Sequence, residues 1–386
     1  MELKELDAPY SYKNWKEFES RKPSLRIEEY PLFSDAHLTD TFTEDCGPYQ
    51  FLHLVGQLAE CGVARPKFIL RFSRHIEVDI TAEDMKKRRD GIYHGGNPVD
   101  EIAALASLAM GVRLKAGGPT REFRLGEEGD PLGTPMGLGF ARDPVIPMGN
   151  SNMILPNSCG PYMHRNISKT LKPFATLPRI SNSDAAALVR AARLYQDALW
   201  IVESEPSLAW LMLVSAMETA ASHWRNSSSD PYSIVKELDP DLYKIAKGAG
   251  DPDSADKVIC KAAKTLKSTK KFLDFSMKFR PPPPPERPEY EWAQHSWKCK
   301  NFRATVRKIY DHRSTALHDG RPFPAPMCQP PTIYSRNDLP EVPLGSGSSS
   351  GFSTWRIEDT PILLHTYEYI VRGSLLKWWD SMVSAA

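Results

Sequence analysis

From residue 181 onward the chain repeats apolar residues at helical spacing and shows no strand alternation, and this constrains its fold more than any other feature. Ser181-Asn182-Ser183-Asp184 is a helix start signal. Behind it, Leu188, Ala191, Leu194, Tyr195, Ala198, Leu199 and Val202 share one face of a helix that reaches about Glu203. Pro206 opens a second helix, to about Trp224. Further helices are expected over 233–247, from 254 to 267 or beyond, from about 291 to 314, and over about 361–382. The proline run 281–285 cannot be helical and sits in an extended spacer, 279–288. A Pro-rich insert at 320–360 contains the Gly/Ser run 345–351 and is expected to be flexible. Several long amphipathic helices without strands predict a helix bundle over 181–386.

Residues 1–180 read differently. Segments 51–55 and 67–72 look like strands, and 76–80 alternates apolar and acidic residues as a half-buried strand does. Asn97 can cap a helix, Pro98 suits its first position, and Asp100 and Glu101 favour the positive end of its dipole. That helix is expected to run through Ala103, Leu105, Leu108 and Val112 to about Leu114, with Gly117-Gly118 stopping it. The Gly-, Pro- and Asn-rich stretch 126–173 predicts irregular structure. The fold class is therefore α+β: an N-terminal mixed α/β domain, 1–180, that senses or restrains, followed by a C-terminal all-α bundle. A chain of 386 residues with 41% hydrophobic and 25% charged residues has ample material for a core.

The formal net charge of +1, with 49 basic against 48 acidic residues, excludes a uniformly positive coat, so any nucleic-acid contact must be a local patch. Six cysteines show no CxxC pair and no zinc-ligand spacing, so no metal is expected, and the thiols are expected to be reduced, small, buried hydrophobes. Met1 to Asp7 has no apolar stretch like that of a signal peptide. The longest apolar runs, near 102–112 and 208–217, fall short of the ~20 residues of a membrane span. A soluble cytoplasmic protein without a membrane partner is expected.

Two ionisable residues fall on inward faces. Leu211, Val214 and Glu218 follow i, i+3, i+7. Phe302, Val306, Ile309 and Arg313 follow i, i+4, i+7, i+11. Either charge alone in a core would cost several kcal/mol. The economical arrangement is that Glu218 and Arg313 meet, as a catalytic element or as a purely structural ion pair. Five residues after Arg313, His318 is expected in the loop where the helix ends at Gly320. An Arg there can neutralise charge developing on a phosphate, and a His can move protons on a ribose 2′-hydroxyl or a leaving oxygen. Together they suffice for metal-free RNA cleavage, which DNA escapes because it lacks the 2′-hydroxyl. The same Arg/His spacing recurs at Arg89/His94, in a Gly-rich turn with no preceding helix, and at Arg307/His312, where Arg307 shares a solvated face with Arg303. Only Arg313 combines inward phase with a partner.

The segment Ala209-Trp210-Leu211-Met212-Leu213-Val214-Ser215-Ala216-Met217-Glu218, with Ile309-Tyr310-Asp311-His312-Arg313-Ser314 through to His318, resembles the HEPN superfamily, and most the ApeA-like HEPN group of bacterial proteins, over roughly 185–385. The resemblance implies a helical bundle that forms a homodimer or higher oligomer. It implies a cofactor-free, metal-independent endoribonuclease site shared between two copies, and roles in toxin–antitoxin systems or anti-phage defence, with an inhibitor or trigger protein as a further partner. By the match, Arg313 and His318 are the catalytic pair, Ser314 is the polar residue after the Arg, and Glu218 orients Arg313. Asp319 stands where many relatives have Gly, and the insert 320–360 is a second departure. Some members of the superfamily are inactive, so the alternative is a non-catalytic HEPN-like module that binds RNA, a nucleotide or a protein.

Other features are less specific. Lys257, Lys261, Lys264, Lys267 and Lys271 fall near one helix face, with Val258, Ile259, Ala262 and Leu266 largely opposite. They form either an RNA-binding phosphate track or a plain solvated face. Arg71, Arg74 and His75 could bind an anion or simply lie at the surface. The stretch 117–121 lacks the lysine of a phosphate-binding loop. Trp378 and Trp379 suit the core or a dimer interface.

Overall fold

The structure, a computed structural model, describes residues 8–40, 46–53, 60, 62–76, 97–123, 132–136, 143–148, 153–156, 160–224, 230–248, 251–332, 339–344, 347–350 and 353–385. The expected strand at 76–80 and the pair Arg89/His94 lie outside these residues, apart from Ile76. An initial helix, α1 (Tyr10–Glu19), leads into β1 (Arg26–Ser34), β2 (Ala36–Thr39), β3 (Tyr49–His53) and β4 (Arg65–Arg74). After α2 (Pro98–Met110) come β5 (Lys115–Ala116), β6 (Arg121–Phe123), β7 (Thr134–Pro135) and β8 (Gly160–Asn166). A six-stranded antiparallel sheet runs β3-β4-β1-β6-β7, with β5 also on β1, while β2 pairs in parallel with β8. Strands β7 and β8 correct the expectation of irregular structure throughout 126–173: β7 is only two residues long, beside its neighbour β6, and β8 pairs with the distant β2, so no local alternation announces either.

Two carboxylates on β1, Glu28 and Glu29, are nearly buried, and β4 answers them with Arg74 at 2.8 Å and Arg71 at 2.7 Å. These arginines are engaged across the strands rather than presented to an anion. Helix α2 is capped as expected, since Asn97 accepts from the amide of Val99 and Pro98 takes the first turn. It stops at Gly111, however, and not at Gly117-Gly118. Gly111 adopts φ +69°, and the open carbonyls of Leu108 and Ala109 accept from Arg372. A Cβ on Gly111 would sit 2.6 Å from the Arg372 Nε. Gly111→Ala is therefore expected to destabilise the protein by at least about 1 kcal/mol, read as a lower urea midpoint; an unchanged midpoint would refute this account of the helix end.

The helical part comprises α3 (Asn182–Ile201), α4 (Pro206–Trp224), α5 (Pro231–Leu238), α6 (Pro240–Gly248), α7 (Pro252–Lys278), α8 (Cys299–His318) and α9 (Leu364–Ala385). The segment expected as one helix over 233–247 is broken at Pro240, which lacks an amide proton and clashes with the preceding turn. Helix α8 starts eight residues later than the expected 291 because the preceding backbone is bonded elsewhere: the His295 amide donates to Glu341 and its carbonyl accepts from Arg287. Glu341 also corrects the expectation of a flexible insert at 320–360. It is 3% exposed and takes both prongs of Arg287, at 2.9 and 2.6 Å, which fastens the insert to the Pro-rich spacer. Further along the insert, β9 (Gly347–Ser350) pairs with β10 (Ser353–Arg356).

Of two apolar clusters among the described residues, the smaller gathers Ile234, Val235, Ala246, Ile259 and Ala263; the larger, which Trp378 and Trp379 fill, runs from Phe72 and Leu105 through Leu188 and Val214 to Phe302, crossing the 180/181 boundary. At that junction Arg113, fully buried, donates to Asp35, Glu203 and the Leu199 carbonyl. Cys46 is buried as expected, but Cys260 and Cys299 are exposed. On α7 the inward phase belongs to Ile259 and Ala263, which turns Cys260 out. No helix among the described residues is long and apolar enough to cross a membrane.

Candidate functional site

Phe302, Val306 and Ile309 bury one row of α8, and Arg313, one turn past Ile309, continues that row to the edge of the core. On α4, Glu218 follows Val214 and Met217 in the same way. The two do meet, Arg313 Nη2 donating to Glu218 Oε2 at 2.5 Å. They lie on the wall of an open cleft, with side chains 21% and 17% exposed, rather than inside a closed core as their phase suggested. The Tyr310 hydroxyl donates to the other carboxylate oxygen at 2.9 Å, and its ring lies beside the guanidinium. Burial, reinforced by Glu218, pushes the Tyr310 hydroxyl up to about 12, so it stays a donor throughout the physiological range. Glu218 thus receives two donors and holds Arg313 in one orientation.

Ser314 is half-buried. His318 is not in the loop but is the last residue of α8, because the helix persists to Asp319 and exits through Gly320 at φ +66°. The imidazole is exposed, with no hydrogen-bond or ion-pair partner among the described residues. Five helical residues place it about 140° around the axis from Arg313, and it does not line the cleft that holds Arg313. The competing pair is committed elsewhere. His312 bonds the Asp359 carbonyl at 2.7 Å, burial lowers its pKa, and Arg307 pairs with Asp311 at 3.0 Å.

The cleft, about 600 Å³ in volume, lies between α3, α4 and α8. Its basic groups are Arg190, His223 and Arg313, and its only acid among the described residues is Glu218. Ser183, Ser215, Thr219 and Ser222 add hydroxyls. His223 Nε2 lies 2.6 Å from Asp184 Oδ1, and Ser181 Oγ donates to Asp184 Oδ2 at 2.7 Å. The helix start signal thus also anchors a His/Asp dyad, which the sequence reading missed. A signal was present: Ser215, Glu218, Thr219, Ser222 and His223 follow i, i+3, i+4, i+7, i+8, a polar stripe along an otherwise apolar helix.

Lys257, Lys261, Lys264 and Lys267 are exposed and unpaired among the described residues, Lys271 is half-buried, and none lines the cleft. Val258, expected opposite them, is itself 44% exposed; the buried row of α7 is Ala255, Ile259 and Ala263. No group of three or more His, Cys, Asp or Glu that could hold a metal ion occurs among the described residues. Compared with family models, with curated proteins and with solved structures, the chain finds no match.

Proposed function

We propose that this chain is a HEPN-type endoribonuclease that cleaves RNA by attack of the 2′-hydroxyl on the adjacent phosphate, acting in the cytoplasm as a dimer or larger assembly, in toxin systems or anti-phage defence. The observation that carries this reading is Arg313, held by Glu218 in an open cleft at the same helix end that presents His318 to solvent. The guanidinium would neutralise the charge that builds on the phosphate, and His318 would move a proton at the ribose or the leaving oxygen. Neither role requires a metal. Because His318 points away from its own Arg313, a second copy of the motif would complete the arrangement. The exposed lysines of α7 would track the RNA backbone.

The test is cleavage of single-stranded RNA and tRNA by the purified protein in EDTA. The expected products carry 2′,3′-cyclic phosphate ends, and a folded His318→Ala variant should be slower by about 100-fold or more. Activity lost in EDTA, or retained in His318→Ala, would overturn the mechanism. An Arg313→Ala variant with a lower melting temperature, together with a silent His318→Ala, would instead identify a binding module whose ion pair is structural.

A further inference from the structure

Cleavage by 2′-hydroxyl attack moves two protons: one leaves the attacking oxygen, and another must reach the departing 5′-oxygen. His318 is one imidazole, and it stands outside the cleft that holds Arg313. A second imidazole stands within it. Building on the ribonuclease reading above, we infer that His223 is a further catalytic residue, that Asp184 is its positioning residue, and that the cleft between α3, α4 and α8 receives the scissile phosphodiester of single-stranded RNA.

The geometry sets the roles. A carboxylate oxygen accepts, so the His223 Nε2 that faces Asp184 at 2.6 Å carries the proton. Nδ1 then keeps its lone pair, and it has no partner among the described residues. Asp184 is itself fixed by the Ser181 hydroxyl at the start of α3, so the ring is held in one tautomer and one orientation. The two side chains are 28% and 29% exposed, open to a ligand yet partly removed from water. In the same cleft, Arg190 and Arg313 supply positive charge, and the only cleft carboxylate among the described residues, Glu218, already faces a guanidinium. About 600 Å³ accommodates one nucleotide with its flanking phosphates.

The step balances without a co-reactant. His223 Nδ1 takes the 2′-hydroxyl proton. The 2′-oxygen bonds to phosphorus while the bond from phosphorus to the 5′-oxygen breaks. The protonated His318 of a second copy, since the chain's own His318 stands outside the cleft, gives that oxygen its proton, which yields a 2′,3′-cyclic phosphate and a 5′-hydroxyl. The two imidazoles end with exchanged protonation states and re-equilibrate with solvent.

The experiment is single-turnover cleavage of an RNA oligonucleotide as a function of pH by wild type, His223→Ala, His223→Gln, Asp184→Asn and His318→Ala, with binding of the same strand carrying a 2′-deoxy sugar at the cut measured in parallel. His223→Ala is expected to be about 100-fold slower or worse, to lose the limb in which rate rises with pH, to regain activity with added imidazole, and to bind the deoxy strand within about twofold of wild type. Asp184→Asn should lose about tenfold and shift that limb. A merely structural His223 would show neither the pH change nor the rescue. If His223→Ala fails to fold, His223→Gln, which can still donate to Asp184, decides. A His223 variant that cuts like wild type while His318→Ala is inactive overturns this inference and leaves the ribonuclease reading standing. A wild type that cuts no RNA in EDTA overturns both.

Discussion

Arg113→Ala is expected to lower the unfolding free energy by about 3–5 kcal/mol, the scale for abandoning a buried charge's partner. Arg113 is 0% exposed, and its two terminal nitrogens reach Asp35 and Glu203, each at 2.7 Å, while Nε reaches the Leu199 carbonyl at 2.8 Å. The carboxylates have further duties: Asp35 accepts from the Gly62 amide and Glu203 from the Ile154 amide, both at 2.9 Å. One guanidinium therefore joins the end of β1, the loop before β4, the segment at 153–156 and the end of α3. Removing it leaves two buried carboxylates without their counter-charge. Arg113→Lys restores a charge but only one prong, and should recover a minority of the loss. Because the cluster bridges the sheet region and the bundle, both variants should shift a single cooperative transition rather than split it. Urea unfolding at neutral pH measures this; a loss below about 1 kcal/mol in Arg113→Ala would show that the junction does not depend on the cluster.

The features that could be read from sequence are those whose causes are local. Asn97 and Ser181 cap their helices through amides two and three residues away, so the motif is complete within one turn. The meeting of Glu218 and Arg313 was legible because helical phase fixes both side chains before any tertiary detail is known. What escaped has distant causes. Gly111 ends α2 because it can adopt a positive φ and because Arg372, 264 positions beyond Leu108, completes the open carbonyls. Residues 291–298 carry a helical pattern, yet Glu341 and Arg287 claim the backbone groups a helix would use. The dyad of Asp184 and His223 joins two helix ends 39 positions apart, and only the polar stripe on α4 hinted that this face opens onto a cleft.

Acid is expected to destabilise the clamp between spacer and insert, where two histidines are buried. Burial pushes the pKa of His295 and of His365 down to about 4 from an ordinary 6.5, with nearby Glu341 only partly opposing it. The rings are 5% and 6% exposed; His365 Nε2 donates to the Pro340 carbonyl, and His295 Nε2 has no hydrogen-bond partner among the described residues. Both are therefore neutral in the folded state and charged in the unfolded chain between those values. The unfolded state binds more protons in that window, so stability is present above pH 6.5 and is lost as the pH falls towards 4, by about 3 kcal/mol for each ring. His312, lowered by burial, acts in the same sense. Glu101 acts against them. Its carboxyl is fully buried, accepts from the amides of Ser11 and Tyr10 at the start of α1, and is raised by desolvation to about 7 from 4.5. Its contribution is complete below 4.5 and disappears as pH rises through 7, about 3 kcal/mol in the opposite direction. Wild type should accordingly lose only about 3 kcal/mol between neutral pH and pH 4, while Glu101→Gln, which removes the opposing titration, should lose about 6 kcal/mol over the same range. Denaturant unfolding of the two proteins across that pH range tests the pair of signs at once. A Glu101→Gln curve no steeper than wild type would show that Glu101 does not titrate as its burial requires, and a flat curve in both would refute the neutral buried imidazoles.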